Sequence, residues 1–152
     1  MTDGVSDNEN SFLVDVTGDA IADLAFATSG NYFDVWAANG DGTFATTAIR
    51  TTATIGNNTG SSFVESSFLI DVTSDGIADH VFVVQSGYGN GVYVWAGNGD
   101  GTFAGTAQNS TPALPEVGVT DYENTFMMDV TGDGRADIVY IRNDLLRIDV
   151  WA

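Results

Sequence analysis

Asp129-Val130-Thr131-Gly132-Asp133-Gly134-Arg135-Ala136-Asp137 is the stretch that decides how this chain folds. It occurs twice more, as Asp15-Val16-Thr17-Gly18-Asp19-Ala20-Ile21-Ala22-Asp23 and as Asp71-Val72-Thr73-Ser74-Asp75-Gly76-Ile77-Ala78-Asp79. The copies lie 56 residues apart from Asp15 to Asp71 and 58 apart from Asp71 to Asp129. Self-similarity at such a period marks a repeat architecture in which each repeat is one supersecondary unit.

The likeness runs outward from the loops. Upstream stand Ser11-Phe12-Leu13-Val14, Ser67-Phe68-Leu69-Ile70 and Thr125-Phe126-Met127-Met128. Downstream stand Asp34-Val35-Trp36-Ala37, Tyr93-Val94-Trp95-Ala96 and Asp149-Val150-Trp151-Ala152. The first two units continue into Asn39-Gly40-Asp41-Gly42-Thr43-Phe44 and Asn98-Gly99-Asp100-Gly101-Thr102-Phe103, a tight-hairpin signal. Each full unit therefore reads as four antiparallel strands. The first is of the Phe12–Asp15 type, and the Asp loop follows it. The second is Leu24–Thr28, with His80–Val84 and Ile138–Arg142 as counterparts. The third ends in Val-Trp-Ala, and a fourth covers the Ala45–Thr54 and Ala104–Thr111 regions. Apolar residues fall at successive positions of the first two strands, which suits sheets covered on both faces.

Four strands in this length make a β-propeller blade. The chain reads as all-β, with about three blades: blade 1 about 4–59, blade 2 about 60–117 and an incomplete blade 3 about 118–152. Propellers have about 4 to 8 blades, so three do not close a ring. The expectation is a homo-oligomer, a dimer giving six blades, or a piece of a longer protein.

Composition narrows the function. The 152 residues carry 21 acidic side chains against 4 basic ones, a net charge of −17. Such a surface repels phosphate backbones, so nucleic acid is not an expected partner. No apolar run is long enough for a membrane span, so insertion is not expected either. There is no cysteine, so disulfides play no part. Met1-Thr2-Asp3-Gly4 shows no signal segment, whereas calcium loops would favour an extracellular setting.

The loops place carboxylates at positions 1, 5 and 9. Calcium takes six to eight hard oxygen ligands in flexible geometry. The expected ligand set is the side chains of Asp15, Thr17, Asp19 and Asp23 with the Ile21 carbonyl in the first loop. In the second it is Asp71, Thr73, Asp75 and Asp79 with the Ile77 carbonyl, and in the third Asp129, Thr131, Asp133 and Asp137 with the Arg135 carbonyl. The alternative is that these are ordinary Asp-Gly turns. An EF-hand is excluded because its position-12 Glu is replaced by Phe26, Phe82 and Tyr140. Position 6 calls for a left-handed glycine: the third loop has Gly132 and Gly134, the second has Ser74 but keeps Gly76, and the first has Ala20 where glycine is expected. The expected order of affinity is third, second, first.

At Asp129–Asp137 with Ile138-Val139, and at Val94-Trp95-Ala96-Gly97-Asn98-Gly99-Asp100-Gly101-Thr102-Phe103, the sequence resembles the FG-GAP/VCBS repeats of integrin-type propellers and many secreted microbial proteins. The resemblance covers nearly the whole chain. It implies blades of four antiparallel strands with calcium between strands one and two. The units are also similar to those of fungal propeller lectins that bind N-acetylglucosamine. Those lectins carry a Gly-Trp element and a His before strand one and Gly-Phe-Gly after strand two. Here the corresponding stretches, Gly60–Ser67 and Val83–Gly87, carry neither, so the likeness is one of architecture.

Glu9, Glu65 and Glu123 recur three residues before the strand-one Phe, on the rim opposite the Asp loops. Tyr122 and the hairpin residues Asn31, Tyr32, Tyr88 and Asn90 reach the same rim. Carboxylates and amides beside aromatic rings are what sugar sites use, so these are the candidate ligand residues for carbohydrate. Satisfying backbone donors in the links is the other reading of the glutamates. Trp36, Trp95 and Trp151 stand at one place per unit and are expected to pack blade on blade, with ligand stacking as the other reading. His80, opposite Leu24 and Ile138 in the alignment, is expected to be a partly buried structural residue. With a single His and no Cys, no nucleophile set can be assembled, and an enzyme is not expected. Two functions remain: a multivalent lectin, or a protein-interaction propeller whose unequal rim hairpins meet a partner.

Overall fold

The computed structural model describes residues 11–28, 32–51, 67–84, 91–110, 125–142 and 147–151. Within them the protein is all β, in three antiparallel sheets. The first joins β1 (Ser11–Val14), β2 (Asp23–Ala27), β3 (Phe33–Trp36) and β4 (Ile49–Arg50) in chain order. The second joins β5 (Ser67–Ile70), β6 (Asp79–Val84), β7 (Gly91–Trp95) and β8 (Gln108–Ser110) in the same way. The third holds β9 (Thr125–Met128), β10 (Asp137–Arg142) and β11 (Arg147–Trp151), and lacks a fourth strand among the described residues.

All three sheets share one register. Phe12 lies opposite Ala25 and Ala25 opposite Val35. Phe68, Val81 and Val94 form the same row, as do Phe126, Val139 and Val150. The repeat in sequence is thus a repeat in pairing, and each sheet is a propeller-type blade.

Blade 1, blade 2 and blade 3 stack in chain order. Val16, Ala25, Phe33 and Val35 of blade 1 meet Leu69, Phe82, Trp95 and Phe103 of blade 2. The opposite face of blade 2, through Val81, Val83 and Val92, packs on Met127 and Ile138 of blade 3. Being covered on both sides, β6 buries His80, Val81, Phe82 and Val83 in succession. β2, covered on one side, alternates between buried and half-buried. This explains the mixed apolar pattern of the sequence: the same strand reads as alternating or continuous according to whether a neighbour lies on its second face. Each fully buried Val or Phe in these seams contributes about 1.5–3 kcal/mol.

Two expectations need correction. Among the described residues the fourth strands, Ile49–Arg50 and Gln108–Ser110, take up only part of the regions expected for them. The Asn-Gly-Asp-Gly hairpins do close, with the Asn39 N–H donating to the Thr43 carbonyl at 2.9 Å and bridges at Ala38–Phe44 and Gly97–Phe103. Bends at residues 46–47 and 105–106 then interrupt the ladder, and pairing resumes only at Ile49 and Gln108. His80 is fully rather than partly buried. Its ring stacks on Trp95 (5.1 Å, 23°) and meets the edge of Phe33 from blade 1 at 5.0 Å. Nε2 lies 3.1 Å from Ser67 Oγ. Leu24, its counterpart in blade 1, is half-buried because its face has no described neighbour blade.

Candidate functional site

Each Asp loop is closed by its own carboxylates. The position-1 side chain accepts from two backbone N–H groups: Asp15 from Gly18 and Ala20, each at 2.7 Å. Asp71 takes Ser74 and Gly76, with a third, longer bond from Thr73 at 3.1 Å, and Asp129 takes Gly132 and Gly134. Those donors hold the Asp129 carboxyl below its ordinary value of 3.8, chiefly through Gly134 and then Gly132. The position-5 carboxylates of Asp19, Asp75 and Asp133 each accept the N–H two residues on, at 2.9 Å.

The position-9 carboxylates work differently. Asp23, Asp79 and Asp137 are buried. One oxygen of Asp23 accepts from Val16 and Thr17 across the loop, while the other accepts from Ala38 beyond β3 at 2.9 Å. Asp79 repeats this with Val72, Thr73 and Gly97. Asp137 accepts from Val130 and Thr131. Burying a carboxylate is costly unless it is well hydrogen-bonded, and charge-assisted bonds from these backbone donors offset that cost. In blades 1 and 2 the third donor, Ala38 or Gly97, ties the loop to the end of the third strand.

Two positions per loop are left-handed, where position 6 alone was expected. Position 6 has φ of 66° at Ala20, 85° at Gly76 and 85° at Gly134. Position 4 has φ of 75° at Gly18, 65° at Ser74 and 79° at Gly132. Blades 1 and 2 each carry one non-glycine residue in a strained place, and blade 3 carries none.

The donor chemistry suits calcium: carboxylates, a hydroxyl and a carbonyl, all hard oxygens. Thr17 Oγ1 is buried with no hydrogen-bond partner among the described residues, an oxygen that could serve as a ligand. An aspartate oxygen that accepts one N–H also keeps a lone pair. Even so, among the described residues no group of three or more Asp, Glu, His or Cys side chains is gathered closely enough to hold a metal ion. The loops stand closed on their own N–H groups.

Adjacent loops also touch. Ala78 N–H of blade 2 donates to the Asp15 carbonyl of blade 1 at 2.8 Å, and Gly101 N–H to the Val16 carbonyl at 3.1 Å. A Cβ on Gly18 would come within 3.3 Å of the Gly99 Cα.

Of the candidate ligand residues, Glu9, Glu65, Glu123, Tyr122, Asn31, Tyr88 and Asn90 lie outside the described residues. Tyr32 is described, and its ring lies under the Arg50 guanidinium at 4.1 Å. Arg50 in turn forks onto Asp34 at 2.7 and 2.8 Å. Sequence reading did not single out Asp34 or Arg50, because only the β3–β4 register sets them opposite each other. Trp95 is buried in the seam between blades 1 and 2, as expected of a blade-packing residue. Trp36 sits on the outer face of blade 1, edge-on to Phe26 at 5.6 Å.

Residues 71–140 match the FG-GAP-like repeat family, in accord with the resemblance carried by the Asp loops. No curated protein matches the chain in sequence. Among solved structures, an Agrocybe aegerita lectin described as specifically recognising non-reducing terminal N-acetylglucosamine is similar over 85% of this chain, with 28% identity and a TM-score of 0.65. This chain spans 31% of that lectin. The Photorhabdus luminescens Tc holotoxin pore shares the fold over 96% of this chain, with a TM-score of 0.71 and 19% identity, and the match covers 6% of that chain.

Proposed function

We propose that this chain is a multivalent carbohydrate-binding propeller module, taking glycans with terminal N-acetylglucosamine-type sugars at its blade junctions. The observation that carries the reading is the likeness to a lectin of that specificity, shared along 85% of the chain. Weak sites repeated around a ring gain strength through avidity. The module binds rather than catalyses, and copies of the chain complete the ring, two copies giving six blades. A glycan array with the purified protein tests the sugar reading. Binding confined to terminal N-acetylglucosamine structures is expected. Silence across the array overturns it and leaves the protein-interaction reading.

Calcium in the Asp loops belongs to the same proposal, in a structural role. The oxygen donor set and the net charge of −17 support it. A cation that binds only the folded state stabilises it by mass action. Calcium should therefore raise the melting temperature above that in EDTA, with sodium at equal ionic strength giving less. Equal melting in all three media would leave the loops as self-capped turns.

A further inference from the structure

The two ends of the blade stack are the two halves of a junction that the chain already makes twice. On blade 1, the face turned away from blade 2 exposes Leu13 at 68%, whereas its counterpart Leu69 is 7% exposed under blade 1. On blade 3, the face turned away from blade 2 exposes Ile148 at 63% and Met128 at 50%. Their counterparts are Phe33 and Val92 for Ile148, and Val14 and Ile70 for Met128. All four pack in the seams between blades. Phe126, Val130 and Val150 share the exposed blade 3 face.

From this repetition we infer that the outer face of blade 3 docks onto the outer face of blade 1 of a second copy, in the register of the blade 1–blade 2 seam. The inference rests on the proposal that copies associate, and it specifies the surface and the partner. Isolated apolar residues on a surface need no explanation, but a contiguous face of them marks an interaction site. The occupant follows from continuity, because each exposed residue has a counterpart that is seated on a neighbouring blade of this same sequence. In that register Ala22 and Gly42 of one copy donate to the Asp129 and Val130 carbonyls of the other. These are the bonds that Ala78 and Gly101 make to Asp15 and Val16. The contact is head-to-tail, so it forms a closed ring only if the rotation per copy allows it. Three blades per copy close at two copies, within the 4 to 8 blades that propellers use.

The test is the mass in solution of the full chain and of two variants, Leu13→Asp on blade 1 and Met128→Asp on blade 3. Ile148→Asp serves as a second blade 3 variant, and circular dichroism checks that each keeps its β structure. The wild type should run at about twice the 16.0 kDa of one chain. Each variant alone should fall to a single chain, since each carries a blocked face at both junctions of the ring. An equal mixture of Leu13→Asp with Met128→Asp should regain a two-chain species, because one intact face remains on each partner. A wild-type monomer overturns association itself. A dimer of Leu13→Asp alone leaves association standing but overturns the head-to-tail register, since blade 3 faces would then be pairing with each other. A ladder of larger masses overturns closure at two copies.

Discussion

The carboxylate of Asp79 accepts the backbone N–H of Gly97 at 2.9 Å, tying the loop between β5 and β6 to the end of β7 across 18 residues. The same side chain holds the N–H groups of Val72 and Thr73. Asp79→Ala removes the acceptor of three part-buried backbone donors, so it should cost about 3 kcal/mol, the lower end of the penalty for unsatisfied groups taken three times. Asp75→Ala removes one exposed bond and should cost less than about 1 kcal/mol. Urea unfolding of the two variants checks the contrast, and equal losses would refute the division of labour between positions 5 and 9.

Ala20 and Ser74 sit at φ of 66° and 65°. The left-handed region costs a non-glycine residue roughly 1–2 kcal/mol, partly offset by the greater freedom glycine gives the unfolded chain. Ala20→Gly and Ser74→Gly should each stabilise the protein by about 0.5–1 kcal/mol. The sites lie in different blades, so the gains should add in the double variant. Thermal melts provide the readout.

Burial pushes the His80 imidazole down to about 3 from its ordinary 6.5. The unfolded chain then binds the extra proton between these values, so stability is full above pH 6.5 and falls as the pH drops toward 3. The loss approaches 1.36 kcal/mol per pH unit, or about 2 kcal/mol at pH 5. His80→Leu, which borrows the residue of blade 1, should flatten the stability profile between pH 5 and 7. An unchanged slope would assign that acid sensitivity elsewhere.

If calcium occupies the loops, single replacements at position 5 should separate them. Asp133→Ala should remove the largest part of the calcium-induced rise in melting temperature, and Asp75→Ala and Asp19→Ala each less. The lead of the third loop follows from backbone strain, which is absent there and present once in each of the other two, at Ser74 and at Ala20. Calorimetric titration of the three variants checks it, and the reverse order would show that strain does not set the affinities.

The blades were legible because the Asp loops punctuate them at a nearly constant period, and strand positions followed within a residue or so. The fourth strands were not, because Asn-Gly-Asp-Gly announces a turn without saying where pairing resumes after it. The left-handed position 4 was hidden by Ser74, which stands where the other loops have glycine. The special place of Asp23 and Asp79 was hidden for a different reason: their third donors, Ala38 and Gly97, lie 15 and 18 residues away. Burial of His80 depended on a neighbouring blade, which no local pattern reports. The rim proposed for ligands was legible only as a list of residue types, of which Tyr32 alone is described.

The bonds from Ala78 and Gly101 to the carbonyls of Asp15 and Val16 make the first loop part of the contact between two blades. Loop and contact are therefore reciprocal effectors. Whatever orders the Asp15 loop favours the seating of the next blade, and that seating returns the same free energy to the loop. A perturbation of the Asp15 loop is therefore registered by blade 2 through the main chain itself.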